Sequence, residues 1–396
     1  MATLSFWEAR AAVLERLKDA PLPSTERIPL SEAAGRVLAE EVRADRDLPP
    51  ATRSLRDGFA VRSADVPGEL VVVAEVRAGE AAARGVGPGE AVEIMTGAPA
   101  PPGADAVVMV EHVARSGDRI RVDRSVAPGE HLTPRGAEAR SGQVLLDAGV
   151  KLGYAEVALL ATVGRSEVRV YKKPRVAIVP TGDEVVDIAE QPAAHQVRNS
   201  NAWSLAVQVK AAGGEPVLLG IARDNHASTR ERMERGLECE LLLLSGGVSA
   251  GKYDIVESVL AGLGAEFYFD RVLIQPGQPA VFGRARGRYF FGLPGNPAST
   301  MVTFEIFARA AVERIGGLRE PRLPLAFARL TRAFRHKPGL TRFLPAVLAP
   351  GGLEVTPVDW KGSGDVPAMA RGNCYLVAEP DKESWEAGEL ITVLLR

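Results

Sequence analysis

The 396-residue sequence holds only two cysteines and five histidines, has almost balanced charge, and contains no run near the roughly 18 apolar residues that a membrane span needs. Each shortage excludes something. Cys239 and Cys374 allow one bridge at most, so no disulfide framework is expected and both read as isolated core thiols. His112, His131, His195, His226 and His336 lack the spacing of a metal site. With 48 basic against 50 acidic residues, no positive excess is left for a nucleic-acid backbone. The N-terminus places Trp7 and Glu8 where a signal peptide would carry a basic head and an apolar core. A cytoplasmic protein with neither nucleic-acid nor membrane partners is expected.

What is present begins with a strand-like run, Leu241 to Leu244, that enters Ser245-Gly246-Gly247-Val248-Ser249-Ala250-Gly251 and then a helical pattern. Glycines let main-chain N–H groups approach a ligand, serines add donors, and a helix N-terminus carries about half a positive charge. This segment reads as an anion cradle for a phosphate-bearing molecule.

The length suggests three or four domains. Phe6, Ala9, Val13, Leu14 and Leu17 recur at helical spacing, and Leu30, Ala33, Ala34, Val37 and Leu38 repeat it after Pro29 and Ser31, so two N-terminal helices are expected. From about residue 43 short β-rich runs follow, at 70–76, 91–95 and 106–111. Residues 154–163 return to helical spacing and are expected to pack back on the N-terminal helices, making the β-rich module an insertion. From Arg175 strands and helices alternate, which argues for a mostly parallel sheet covered on both faces. Ligands of such sheets bind beyond the carboxyl ends of the strands. Loops at those ends carry Thr181-Gly182-Asp183-Glu184, Ser245 to Gly251, and Pro294-Gly295-Asn296. A long helix from Pro297 to Ile315 and a small C-terminal β domain complete the multidomain α/β reading.

Those three loops, Met95-Thr96-Gly97-Ala98 with 103–107, and Asp57-Gly58-Phe59-Ala60-Val61 together resemble the molybdopterin molybdenumtransferase family, which includes the E domain of gephyrin. The likeness runs in order through nearly the whole chain. It implies a homodimer of four-domain subunits: residues 1–42 with 141–170 a discontinuous helical linking domain, 43–140 an inserted β-rich domain, 171–322 a three-layer αβα molybdopterin-binding domain, and 323–396 a C-terminal β domain. It also implies a transferase reaction of molybdenum cofactor biosynthesis, in which adenylated molybdopterin and molybdate react with Mg2+ to give cofactor and AMP. Other proteins of that biosynthesis are then expected partners.

By the same resemblance, Asp224 and Asp254 hold the magnesium. Glu184 orients or deprotonates the attacking water. Asp57 and Thr96 act in the partner's site. Thr181, Gly182, Asp183, Ser245, Gly246, Gly247, Ser249, Gly251, Pro294, Gly295, Asn296 and Ser299 bind the pterin nucleotide or the oxyanion. Structural roles compete: Asp224, Asp254 and Asn296 also suit helix caps, Thr96 a turn, Gly246 and Gly247 tight packing, and Pro297 a first helical turn.

The family's Lys-Pro-Gly-Lys-Pro reads Gln275-Pro276-Gly277-Gln278-Pro279 here, and a family arginine reads Leu340, with Arg342 nearby but out of register. Gly362-Ser363-Gly364 persists, while an expected serine pair is Pro367-Ala368. Neutral groups in place of cations weaken a dianion site, because charge-assisted hydrogen bonds are about twice as strong. Two alternatives follow: a diverged paralogue that binds or hydrolyses the pterin nucleotide but inserts molybdate poorly, and a dimeric scaffold. A nucleotide-binding dehydrogenase is a fold-level rival that the sequence disfavours, since residues 176–184 lack the glycine spacing of a dinucleotide site.

Overall fold

The structure, a computed structural model, describes residues 3–247 and 255–396. Ser249, Gly251 and Asp254 therefore lie outside the described residues. The chain forms two compact units. The first comprises Met1–Ala39, Ala148–Leu152 and Val168–Arg396; the second comprises Glu40–Asp147 and Gly153–Glu167.

A six-stranded sheet organises the first unit. In chain order its strands are β1 (Arg175–Pro180), β2 (Glu215–Leu218), β3 (Leu241–Ser245), β4 (Glu266–Phe269), β5 (Val281–Ala285) and β6 (Arg288–Leu293). They lie side by side as β2-β1-β3-β6-β5-β4. β2, β1, β3 and β6 are mutually parallel, and β5 runs antiparallel between β6 and β4. Side chains of a strand alternate between faces, so a run such as Leu241 to Leu244 is apolar throughout because both faces are covered. Val176, Ile178, Leu241 and Leu243 meet α1 (Ser200–Ala211) and the helix at 297–315. Ala177, Val179, Leu242 and Leu244 meet α2 (His226–Gly236) and α3 (Ile255–Gly262). The result is the expected three-layer arrangement.

The helix at 297–315 starts with Pro297 in its first turn and contains one π-helical turn, Phe304–Ala308. Its interior holds Arg309, bonded to Glu305 at 2.8 Å and Glu313 at 3.1 Å. Gln208 Nε2 of α1 donates to Met301 O at 3.0 Å and Glu305 Oε1 at 2.8 Å, which fixes α1 against it.

The C-terminal strands form a second six-stranded sheet. Thr341–Leu348 pairs with Cys374–Ala378 as well as Glu354–Pro357, which gives it a barrel-like closure. The short strand Ile274–Gln275 joins its edge in parallel, with Gln275 opposite Arg342.

One N-terminal helix forms, Phe6–Arg16, with Ser5 and Glu8 in a reciprocal capping box. The second expected helix does not. Leu30–Glu32 is a single 3-10 turn, and Val37 and Leu38 bridge to Lys151 and Val170. Ala33 caps that turn, Gly35 at φ +78° sits in the next one, and the buried Ala33 and Leu38 satisfy the apolar spacing without a helix. The helix Tyr154–Thr162 forms as expected but belongs to the second unit, whereas Phe6–Arg16 belongs to the first.

The second unit contains a mixed six-stranded sheet, in the order Ala106–Met109, Gly58–Val61, Glu90–Ile94, Gly68–Val76, Arg119–Val122, Val113–Ser116. Both cysteines are free and buried, and no helix among the described residues is long and apolar enough to cross a membrane.

Candidate functional site

At the carboxyl ends of β1, β3 and β6 a cavity of about 500 Å³ is walled by Thr181, Glu184, Asn201, Ser245, Gly295 and Asn296, among others. The parallel pairings bring these loops together: Pro180 lies opposite Ser245, and Ser245 opposite Leu293. A larger cavity, about 600 Å³, opens at the other end of the sheet beside Arg175, Glu215 and Glu240, and contains none of these loop residues. Position at a strand's carboxyl end, the usual ligand crevice of such sheets, favours the smaller one.

Gly182 stands at φ +134°, and a Cβ there would strike the carboxylate of Glu184. That carboxylate folds back over the glycine at the cavity wall and has no hydrogen-bond or ion-pair partner among the described residues. Asp183 and Asp224 hold each other's loops. The Asp183 N–H donates to Asp224 Oδ2 at 3.3 Å, and the Asp224 N–H donates to Asp183 Oδ1 at 3.2 Å. The other oxygen of each carboxylate has no hydrogen bond among the described residues. Arg223 Nη1 donates to Asp183 O and Val185 O, at 3.3 and 3.0 Å, and holds the same loop from below. No group of three His, Cys, Asp or Glu side chains among the described residues could hold a metal. The Asp183–Asp224 pair therefore suits a cation that takes one or two carboxylates and completes its shell with water and substrate phosphates, as magnesium does. The acid paired with Asp224 here is Asp183, a residue expected among the nucleotide ligands.

The glycine-serine loop differs from a fully open cradle. Gly246 donates its N–H to Leu293 O at 3.0 Å, Thr181 to Ser245 O at 2.9 Å, and Gly182 to Ala222 O at 3.2 Å. These amides are used by the fold itself. Gly246, at φ +97°, has no room for a side chain: a Cβ would lie 2.9 Å from both Thr181 O and Thr181 Oγ1. Thr181 Oγ1 is buried and has no hydrogen-bond partner among the described residues.

Asn201 was not singled out in the sequence. Its Nδ2 donates to Ser245 Oγ at 2.8 Å and to Gly295 O at 2.7 Å, so one side chain from α1 clamps the β3 and β6 loops. The only signal was its place two residues after the N-cap Asn199. Asn296 stands at an N-cap position yet makes no side-chain cap bond. Instead its Nδ2 donates to Ser363 Oγ at 2.9 Å, and Ser363 O accepts from the Ala298 N–H at 2.9 Å. The surviving Gly-Ser-Gly segment thus closes the start of that helix. Pro294 O accepts from Thr300 Oγ1 at 2.5 Å.

Ser299 is buried in the first turn of the helix. The 275–278 segment packs on the same turn, since a Cβ on Gly277 would strike Thr303 Cγ2 and approach Ser299 O within 3.6 Å. Arg342, in register with Gln275, has a buried Nε without a hydrogen-bond partner among the described residues.

In the second unit, Asp57 Oδ1 accepts from the Thr96 N–H at 2.6 Å and from Thr96 Oγ1 at 2.8 Å. The backbone bond first, then the hydroxyl, holds the Asp57 carboxyl below its ordinary range.

Three family signatures match in order: MoeA N-terminal region (domain I and II) over residues 4–164, probable molybdopterin binding domain over 177–315, and MoeA C-terminal region (domain IV) over 328–395. The chain belongs to the molybdopterin molybdenumtransferase family. The Bacillus subtilis molybdopterin molybdenumtransferase is 33% identical over 388 residues, covering 94% of this chain and 90% of that one. The Nostoc protein of the same name is 39% identical over 305 residues, 74% of this chain and 70% of its own length. Among solved structures, the molybdopterin biosynthesis moeA protein from Pyrococcus horikoshii OT3 superposes with a TM-score of 0.82 at 30% identity, over 100% of both chains.

Proposed function

We propose that this protein catalyses the magnesium-dependent insertion of molybdate into adenylated molybdopterin with release of AMP. The observation that carries the reading is the Glu184 carboxylate, without a partner among the described residues and held over Gly182 at the wall of a cavity large enough for a nucleotide. A carboxylate with no partner is free to orient a water and accept its proton as that water attacks the phosphoanhydride. Asp183 and Asp224, with Asp254, would hold magnesium, which would neutralise phosphate charge. Thr181, Ser245, Gly247, Gly295, Asn296, Ser249 and Gly251 would line the pterin nucleotide. A four-domain cytoplasmic homodimer belongs to the same proposal, with Asp57 and Thr96 serving the partner's site. Asp57, kept anionic by Thr96, suits electrostatic positioning better than proton uptake.

A second reading, nucleotide cleavage with poor molybdate insertion, is favoured by Gln275 and Gln278, uncharged residues on either side of the Pro276-Gly277 pair whose glycine lies close to Ser299 O. Arg342, opposite Gln275, supplies one cation to that neighbourhood. Purified protein given adenylated molybdopterin, Mg2+ and molybdate is expected to release AMP and yield loaded cofactor. AMP release without loading selects the second reading, and absence of both rejects the function. A Gln275→Lys/Gln278→Lys variant should bind molybdate about 10² to 10⁴ times more tightly; equal saturation would discard the charge argument.

A further inference from the structure

We infer that Asn201 and Ser245 read the lactam edge of the substrate's heterocyclic ring, making Asn201 a specificity-determining residue rather than only a loop clamp. The inference rests on the pterin reading above and assigns a part of the ring to a part of the wall.

Both N–H bonds of Asn201 Nδ2 are used, on Ser245 Oγ and Gly295 O. The amide cannot be turned over, because a carbonyl such as Gly295 O only accepts and must face the NH2 group. Asn201 Oδ1 is consequently fixed as an acceptor. It is buried and has no hydrogen-bond partner among the described residues. Ser245, itself buried, spends a lone pair on Asn201, and its own O–H has no acceptor among the described residues. The pair thus presents one unused acceptor beside one unused donor, on residues that both line the cavity.

Buried polar groups are nearly always paired, so two complementary vacancies in one hydrogen-bonded pair describe the ligand edge that fills them. A phosphate oxygen would satisfy the Ser245 hydroxyl but meet Asn201 Oδ1 acceptor to acceptor. A ring N–H adjacent to a ring C=O satisfies both: the N–H donates to Asn201 Oδ1 and the carbonyl accepts from Ser245 Oγ–H. The backbone supports this division. The N–H groups of Thr181, Gly182 and Gly246 are already bonded within the fold, so this wall offers little to an anion. The lactam of a pterin ring has the required order of donor and acceptor.

Pterin and 3-methylpterin differ only in the lactam N–H, which the methyl group replaces, and both fluoresce, so each can be titrated directly on the full chain. The wild type is expected to bind pterin about 10- to 100-fold more tightly than 3-methylpterin, the cost of leaving a buried acceptor unpaired. In Asn201→Ala the acceptor is gone and space is opened, and the two ligands should bind within about threefold of each other. AMP binding, followed by equilibrium dialysis, reports whether the loops still stand. Should Asn201→Ala not fold, Ser245→Ala decides: both pterins keep the ring carbonyl, so both should bind about tenfold more weakly while AMP binding persists, and unchanged affinity for both overturns the inference. Equal wild-type affinity for the two pterins overturns this inference and leaves the proposed function intact. Failure of the wild type to bind either pterin overturns both. Discrimination that survives in a folded Asn201→Ala, or a loss of pterin and AMP binding together, returns Asn201 to a structural role.

Discussion

Two acids, Glu184 in the first unit and Asp57 in the second, come from motifs of equal standing in the sequence, yet their surroundings differ. Asp57 is engaged by the N–H and hydroxyl of Thr96, which hold its carboxyl below the ordinary range. Glu184 is pressed over a glycine and bonded to nothing among the described residues. An acid whose charge is already satisfied is a poor proton acceptor and a good fixed anion. One without partners can exchange a proton with a ligand. Identical functional groups thus acquire different uses from the hydrogen bonds around them.

Substitutions test that contrast. Glu184→Gln should slow anhydride cleavage by about 10² to 10⁴ while leaving pterin affinity within a few-fold, measured as AMP release in single-turnover conditions. Unchanged turnover would remove Glu184 from proton transfer. Gly182→Ala should follow, with turnover about 10 to 100 times slower, because the new Cβ displaces the Glu184 carboxylate and small misplacements of a reacting group are costly. A wild-type rate would mean that the position of this carboxylate does not matter. Asp57→Asn should slow turnover by less than about tenfold, since only fixed charge is removed. A loss as large as that of Glu184→Gln would erase the distinction between the two acids.

The smallest effect is expected from Thr96→Val, read as stability against pH. The folded Asp57 carboxyl lies below its ordinary value of 3.8, so its bonds stabilise the folded state above that pH and are lost as pH falls through the folded value. The variant should melt about 1 to 3 °C below wild type at pH 7. The gap should close as pH falls through the folded value of that carboxyl. A gap independent of pH would assign the loss to packing instead of to Asp57.

The alternating strands and helices after Arg175 were readable because a sheet covered on both faces demands continuous apolar runs, and Leu241 to Leu244 is one. The segment 30–38 misled for a related reason. Five apolar residues at helical spacing fit any geometry that buries them, and the bridges of Val37 and Leu38 to residues more than a hundred positions away outcompeted the local pattern. The loops with Thr181, Ser245 and Asn296 were visible as motifs. Which of their amides were free was not, because Gly246 gives its N–H to Leu293 on a neighbouring strand.

The amino-acid sequence by itself determined the layered α/β core, the family, the identity of the acids and glycines at the strand ends, and the neutral side chains of Gln275 and Gln278. Only the tertiary structure decided how those groups are used. It joined Asn201 to Ser245 and Gly295 across 44 and 94 residues, paired Asp183 with Asp224, placed Arg342 beside Gln275, and left Glu184 without a partner among the described residues. Local patterns record the burial each residue needs, whereas hydrogen-bond partners depend on distant segments meeting at one edge of the sheet.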